Sequence, residues 1–174
     1  MRYFLIIVAL SLTLFSFDLP KAGVKKMDKN LAKLWPENVV TKKPLNLQSV
    51  TKSKLSFKLE DNTVYKVLKD NGTVAYAYLS KGFGKMNEFD YMIVFNTDLS
   101  ILKVKVLVYR EEQGGEIGST RWLKQFYGKS DPKNLKFGHD IQNISGATLS
   151  ARSLTEDAKK VLRRMKELKQ KEII

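Results

Sequence analysis

The chain has 174 residues, 43% of them hydrophobic, which is enough for one domain with a genuine core and too few for two comfortable ones. It contains no cysteine and a single histidine, which excludes disulfide staples, thiolate catalysis and cysteine-ligated zinc, so any redox chemistry must come from a bound organic cofactor. A formal charge of +13 favours encounters with polyanionic surfaces.

Met1 and Arg2 precede an apolar run from Phe4 to Phe17. That is the length of an export-signal core and is short of the roughly 20 apolar residues of a membrane span. No small-x-small cleavage site follows in "FSFDLPKAG", so residues 1–17 read as a signal peptide or a retained N-terminal anchor. Residues 18–54 read as a basic stalk. Lysines concentrate between Lys21 and Lys58 with only Asp28 and Glu37 opposing them, a pattern suited to an anionic lipid surface or to a solvated linker. The stretch 18–54 holds one aromatic, Trp35, and so lacks aromatics interleaved with its lysines, which argues against nucleic acid as a partner. Within it, Met27, Leu31 and Leu34 recur at helical spacing before Trp35-Pro36 stops the pattern, predicting a short packing arm.

Residues 55–174 read as the folded domain. Leu55, Phe57 and Leu59 alternate with Ser56, Lys58 and Glu60, predicting a half-buried strand. Asp70-Asn71-Gly72, between "TVYKVLK" and "TVAYAYLS", predicts an antiparallel hairpin. A second pair, "YMIVFN" and "ILKVKVLVY", is joined through Thr97-Asp98-Leu99, with Val104, Val106 and Val108 expected on one face. The loop "REEQGGEIG" follows, and Ser119 can then cap a short helix carrying Trp122 and Phe126 on one side before Gly128 ends it. The last element is a long amphipathic helix with Leu154, Ala158, Val161, Leu162, Met165 and Leu168 inward, starting at Ser150 or at Ser153, where Glu156 completes a capping box. The fold class is α+β: an antiparallel sheet packed with a few helices.

Directly before that helix stands Ser145-Gly146-Ala147-Thr148. Gly146 permits close backbone approach, Ala147 adds little bulk, Ser145 and Thr148 present hydroxyls, and the helix start supplies free N–H groups with partial positive charge. A phosphate suits such a place, bound or covalently attached; an ordinary loop and cap is the plainer alternative. Phe83, between Gly82 and Gly84, and Trp122, Phe126 and Tyr127 are the flat apolar side chains available to wall a ring, although Trp122 and Phe126 also suit plain core packing. Glu111, Glu112 and Glu116 with Gly114 and Gly115 form a loop that could meet polar groups of a ligand, and His139 beside Asp140 reads as an uninvolved surface imidazole.

Three stretches, in order, carry a family resemblance: "KGFGK" at 81–85, "REEQGGEIG" at 110–118 and "NISGATLS" at 143–150. From about Val74 to Leu162 the chain resembles the FMN-binding domain of the covalent-flavin subunits of sodium-pumping NADH:quinone reductase and Rnf-type complexes. The resemblance implies FMN as cofactor, held through a phosphoester to Thr148. It also implies that an external FAD:protein FMN transferase attaches it outside the cytoplasm, and that membrane redox proteins are the partners. The family's Asp three residues before the motif's Ser is Gln142 here, with Asp140 two residues earlier. The expected function is an exported electron carrier rather than a turnover enzyme; a non-redox envelope module that binds lipid or protein is the alternative.

Overall fold

The computed structural model describes residues 21–36, 39–45, 55–70 and 72–174. The apolar run Phe4–Phe17 lies outside them, and among the described residues no helix is long and apolar enough to cross a membrane. Five strands form one antiparallel meander in sequence order: β1 (Thr41–Pro44), β2 (Val64–Lys69), β3 (Gly72–Phe83), β4 (Glu88–Asn96) and β5 (Ile101–Val108). Helix α1 (Lys21–Ala32) precedes the sheet, while the short α2 (Thr120–Leu123) and the 23-residue α3 (Thr148–Gln170) follow it.

The β2–β3 hairpin forms as the turn chemistry demands, but Gly72 already opposes Lys69 in the ladder, so the connection runs through Asp70 and Asn71. Asp70 takes the positive φ, at 50°; Asn71 lies outside the described residues. The β4–β5 turn is closed by Asp98, whose carboxylate accepts the N–H and hydroxyl of Ser100 at 2.8 and 2.7 Å.

Alternation along the strands divides the buried residues between two faces. On the first, Tyr78, Phe89, Tyr91, Ile93, Phe95 and Val104 pack under α3, which contributes Leu154, Ala158, Val161, Leu162, Met165 and Leu168, the apolar face expected from the sequence. On the second, Tyr65, Val67, Ala77, Met92, Val94 and Leu107 pack under Met27 and Leu31 of α1. The predicted packing arm is thus a cover for the sheet, and the basic segment 18–54 also contributes the edge strand β1.

Three local expectations are corrected. Residues 55–60 are not a strand: Leu55, Phe57 and Leu59 do turn inward to the first core, but Ser56 gives its N–H and hydroxyl to the Glu167 carboxylate, the N–H at 2.6 Å, instead of to a neighbouring strand. One-sided burial alone produced the period-2 pattern. Val108 does not share a face with Val104 and Val106, because a register shift between Asp90 and Tyr91 leaves Leu107 unpaired and turns Val108 to the α1 side. Finally, α3 begins at Thr148, ahead of both predicted starts, and Ser153 sits inside the helix with its hydroxyl committed elsewhere.

Candidate functional site

One end of the sheet gathers the end of β3, the start of β4, the loop after β5 and the N-terminus of α3. Gly84 donates its N–H to the Asn87 carbonyl at 2.8 Å, closing the β3–β4 turn. The Glu111 carboxylate reaches over from the following loop and accepts the N–H groups of Met86 and Asn87 at 2.7 and 2.9 Å. These bonds, Asn87's first, hold the Glu111 carboxyl below the ordinary carboxylate range. A Cβ at Gly84 would come 2.3 Å from that carboxylate, and one at Gly82 would come 2.2 Å from the Phe89 ring, so close approach is the reason for both glycines. Phe83 donates its N–H to Ser153 Oγ at 2.8 Å, which ties the strand end to the second turn of α3.

The acidic loop leans on the Ser-Gly-Ala-Thr motif. Gly114 has φ +81°, and a Cβ there would meet Tyr109 Oη at 2.9 Å, the Gly146 carbonyl at 3.0 Å and Ala147 Cβ at 3.1 Å. Only glycine tolerates both that backbone and that crowding. Tyr109 Oη and Ser150 Oγ share a hydrogen bond of 3.0 Å, joining the end of β5 to the first turn of α3. Behind the loop, Arg110 pairs with the buried Asp90 at 2.6 Å and donates to the Glu88 carbonyl at 3.0 Å, fixing where the loop departs.

These contacts enclose an open cavity of about 680 Å³, a size suited to a small-molecule ligand. Its lining combines Lys85, Met86 and Asn87 of the turn and Tyr109 through Gln113 in part with Gly146, Ala147, Thr148, Leu149 and Ser150. Gly146, at φ +78°, reverses the chain so that Thr148 is the first helical residue. No side chain caps the α3 N-terminus, so its first N–H groups face outward without an intrahelical acceptor. Thr148 is half-buried, and its hydroxyl has a long contact of 3.4 Å to the Ile144 carbonyl. Such an end accepts an anion by hydrogen bonding and by the aligned peptide dipoles.

Of the residues singled out from sequence, Glu111, Glu112, Gly146, Ala147 and Thr148 line this cavity, Gly114 packs behind it, and Glu116 lies in a separate hollow. Gly82, Phe83 and Gly84 form the adjoining strand end, with the Phe83 ring exposed. Gly115 starts a 3₁₀ turn with open space around it. Ser145 and Trp122 lie on the far side of the motif, in a second hollow of about 530 Å³ with Arg121, Gln125 and Gln142. There the Trp122 indole N–H donates to the Gln142 carbonyl at 2.7 Å, and its ring meets Phe126 edge-on at 5.3 Å. Phe126 is fully buried core. Tyr127 lines a different hollow, beside Lys103, Asn30 and Lys33. His139 is exposed and bonded to Asp140 at 2.8 Å, away from the cavity.

Met86, Tyr109 and Leu149 were not singled out from the sequence. Tyr109, directly after β5, carried a usable signal in its place beside the acidic loop; Met86 and Leu149 carried none, since apolar side chains in a turn and a first helical turn have no periodicity to mark them.

Residues 84–163 match the family model described as the FMN-binding domain. No curated protein matches the chain. The matched range opens at the glycine clamped by Glu111, runs through β4, β5, the acidic loop and the Ser-Gly-Ala-Thr motif, and ends two-thirds of the way along α3. Each of the three stretches that carry the sequence resemblance contributes residues to the cavity, and the second and third lie wholly within the range, 84–163, that is similar to the FMN-binding domain.

Proposed function

We propose that the protein is an exported flavoprotein that holds FMN through a phosphoester to the Thr148 hydroxyl and serves as an electron-transfer module of a membrane-associated redox chain. The observation that carries this reading is a half-buried threonine hydroxyl at the uncapped first position of a 23-residue helix, opening on a cavity of about 680 Å³. A phosphoryl group on that oxygen would meet the first N–H groups of α3. Gly146 adds no side chain to the lining, and Gly114 packs behind it, where a Cβ would press on Tyr109, Gly146 and Ala147 and displace the motif. Tyr109 and Ser150, already bonded to each other, offer hydroxyls to polar edges, and Met86 and Leu149 offer apolar surface.

Bound FMN would supply one- and two-electron transfer. The chain's own part is to fix the phosphate, exclude solvent from one side of the ring and set the local electrostatics. Thr148 has no histidine or lysine in hydrogen-bond contact to deprotonate it, and a threonine hydroxyl is a poor nucleophile without activation, so attachment requires an external FAD:protein FMN transferase. Gln142, in the place of the family's Asp, is exposed and lines the second hollow with Ser145, on the other side of the motif from the cavity.

The test is intact-mass spectrometry of protein co-expressed with such a transferase. The expected product is yellow and heavier by one covalently bound FMN, and Thr148→Ala removes the added mass entirely. Wild-type protein that gains no mass and copurifies with no flavin overturns the proposal.

A further inference from the structure

The cavity end of the molecule is also the end at which the chain enters the fold. Helix α1 runs along the second face of the sheet with its N-terminus beside Asp90: a Cβ at Gly23 would lie 3.9 Å from Asp90 Oδ2, and Asp90 opposes Lys81 and Val108 in the last rungs of β3 and β5. The C-terminal part of α1 reaches instead to Lys103 and Leu123, toward the other end of β5. Helix α3, on the opposite face, likewise starts at the cavity and ends beyond Glu167 and Lys169, which bind Ser56 and Thr97. The described chain therefore begins, at Lys21, at the cavity end of the fold.

The large apolar side chains left in water gather at the same end. Phe83, Met86 and Leu149 are 54%, 73% and 55% exposed; the one other large exposed apolar residue among those described is Val39. Met86 and Leu149 line the cavity, and the Phe83 backbone is bonded to Ser153, one turn along α3 from Leu149. The elements of this end carry exposed cations: Lys85 lines the cavity beside Met86, Lys25 and Lys26 lie in the first half of α1, and Arg152 in the first half of α3 has its guanidinium over the Phe137 ring at 5.3 Å. The acids of this end are largely engaged, Glu88 with Lys81, Asp90 with Arg110 and Glu111 with backbone N–H groups, leaving Glu112 and Glu116 of the loop exposed. An apolar rim set among lysines and arginines matches the boundary between acyl chains and anionic headgroups.

We infer that the cavity end rests on an anionic lipid surface, with Phe83, Met86 and Leu149 seated in the interface and the far end of α3 pointing away. Under the FMN reading, on which this consequence alone rests, the ring would sit at the membrane face.

The absence of native cysteine makes the test direct. Full-length Met86→Cys and Lys171→Cys proteins carry a nitroxide at the cavity end and just past the α3 C-terminus, and α3 alone separates these ends by about 34 Å. Collision rates with oxygen and with a water-soluble nickel chelate are measured with and without vesicles of phosphatidylcholine and phosphatidylglycerol. The oxygen-to-nickel ratio should rise several-fold at residue 86 on vesicle binding and stay level at 171, and Phe83→Ser/Leu149→Ser should reduce the rise. Equal changes at both sites, a larger one at 171, or none at either overturns the inference, and leaves the rim to a protein partner. The nitroxide readout is independent of flavin: a rise at residue 86 in protein that gains no mass and no flavin when co-expressed with the transferase would sink the FMN proposal alone.

Discussion

The two helices that cover the sheet do different work. Helix α3 is 23 residues long, buries nine side chains and faces the larger core, rich in tyrosine and phenylalanine. Helix α1 has 12 residues and contributes chiefly Met27 and Leu31 to a core of smaller side chains on the other face. Both start at the same end of the sheet, yet only the α3 terminus is woven into the site: Ser150 bonds Tyr109, Ser153 bonds Phe83, and Asp157 accepts the hydroxyl of Ser80 at 2.5 Å and that of the fully buried Tyr91. Burial and the neighbouring Asp157 carboxylate push the Tyr91 hydroxyl far above its usual range, so it stays a donor. The long helix is thus both the main stabiliser and the mount of the site. The short one is a cover whose position fixes where the chain enters.

This difference can be probed first in the cores. Leu162→Ala in α3 should destabilise the protein by about 3–5 kcal/mol, because a fully buried residue in the larger core leaves a cavity that its neighbours cannot fill. Leu31→Ala in α1 should cost less, about 2 kcal/mol, since a short helix at one edge of the fold can adjust or open locally. Urea denaturation measures both, and equal losses would show that α1 is as much a part of the cooperative unit as α3.

At the site, Gly114→Ala should cost about 1–3 kcal/mol, from a forced positive φ and contacts of 2.9–3.1 Å to Tyr109, Gly146 and Ala147. It should also lower FMN incorporation in the mass assay, because the motif must shift to make room. Stability unchanged from wild type would mean that the loop does not lean on the motif.

The smallest effect concerns pH. Glu111 has a carboxyl held below its usual range by the N–H groups of Asn87 and Met86, so the clamp contributes at pH values above the ordinary carboxylate range and is lost as pH falls through the lowered value. Glu167, held down by Ser56, behaves in the same sense at the far end of α3. Hydrogen exchange of the Met86 and Asn87 amides should therefore quicken on acidification beyond the intrinsic rate, and Glu111→Gln should reproduce part of this at neutral pH. Amides equally protected on both sides of the transition would remove Glu111 from its role in the turn.

Much of this fold is legible in local chemistry. The β2–β3 hairpin follows from turn residues that tolerate positive φ, and the inward face of α3 from its 3.6-residue period. Ser119 caps α2 as its hydroxyl predicts, accepting the Trp122 N–H. Strand β1, "TKKP", offers no alternation, and it is a strand because β2 presents a free edge to it. The alternation at 55–60 misleads for the converse reason: the inward side chains are real, but no strand lies alongside. The α3 start escapes the capping rules because Gly146 turns the chain two residues before the helix and Ser153 is taken by Phe83.

The sequence by itself determined the strand and helix periods, the cysteine-free composition and the motif whose hydroxyls, small residues and following helix point to a phosphate. These are properties of neighbouring residues, set by dihedral preference and side-chain period. The tertiary structure alone decided that Glu111 closes a turn more than twenty residues earlier, that Gly114 presses on Gly146, and that Met86, Tyr109 and Leu149 share one cavity. Those relations depend on strand register and helix placement, and no local pattern encodes a contact between segments that only a folded sheet brings together.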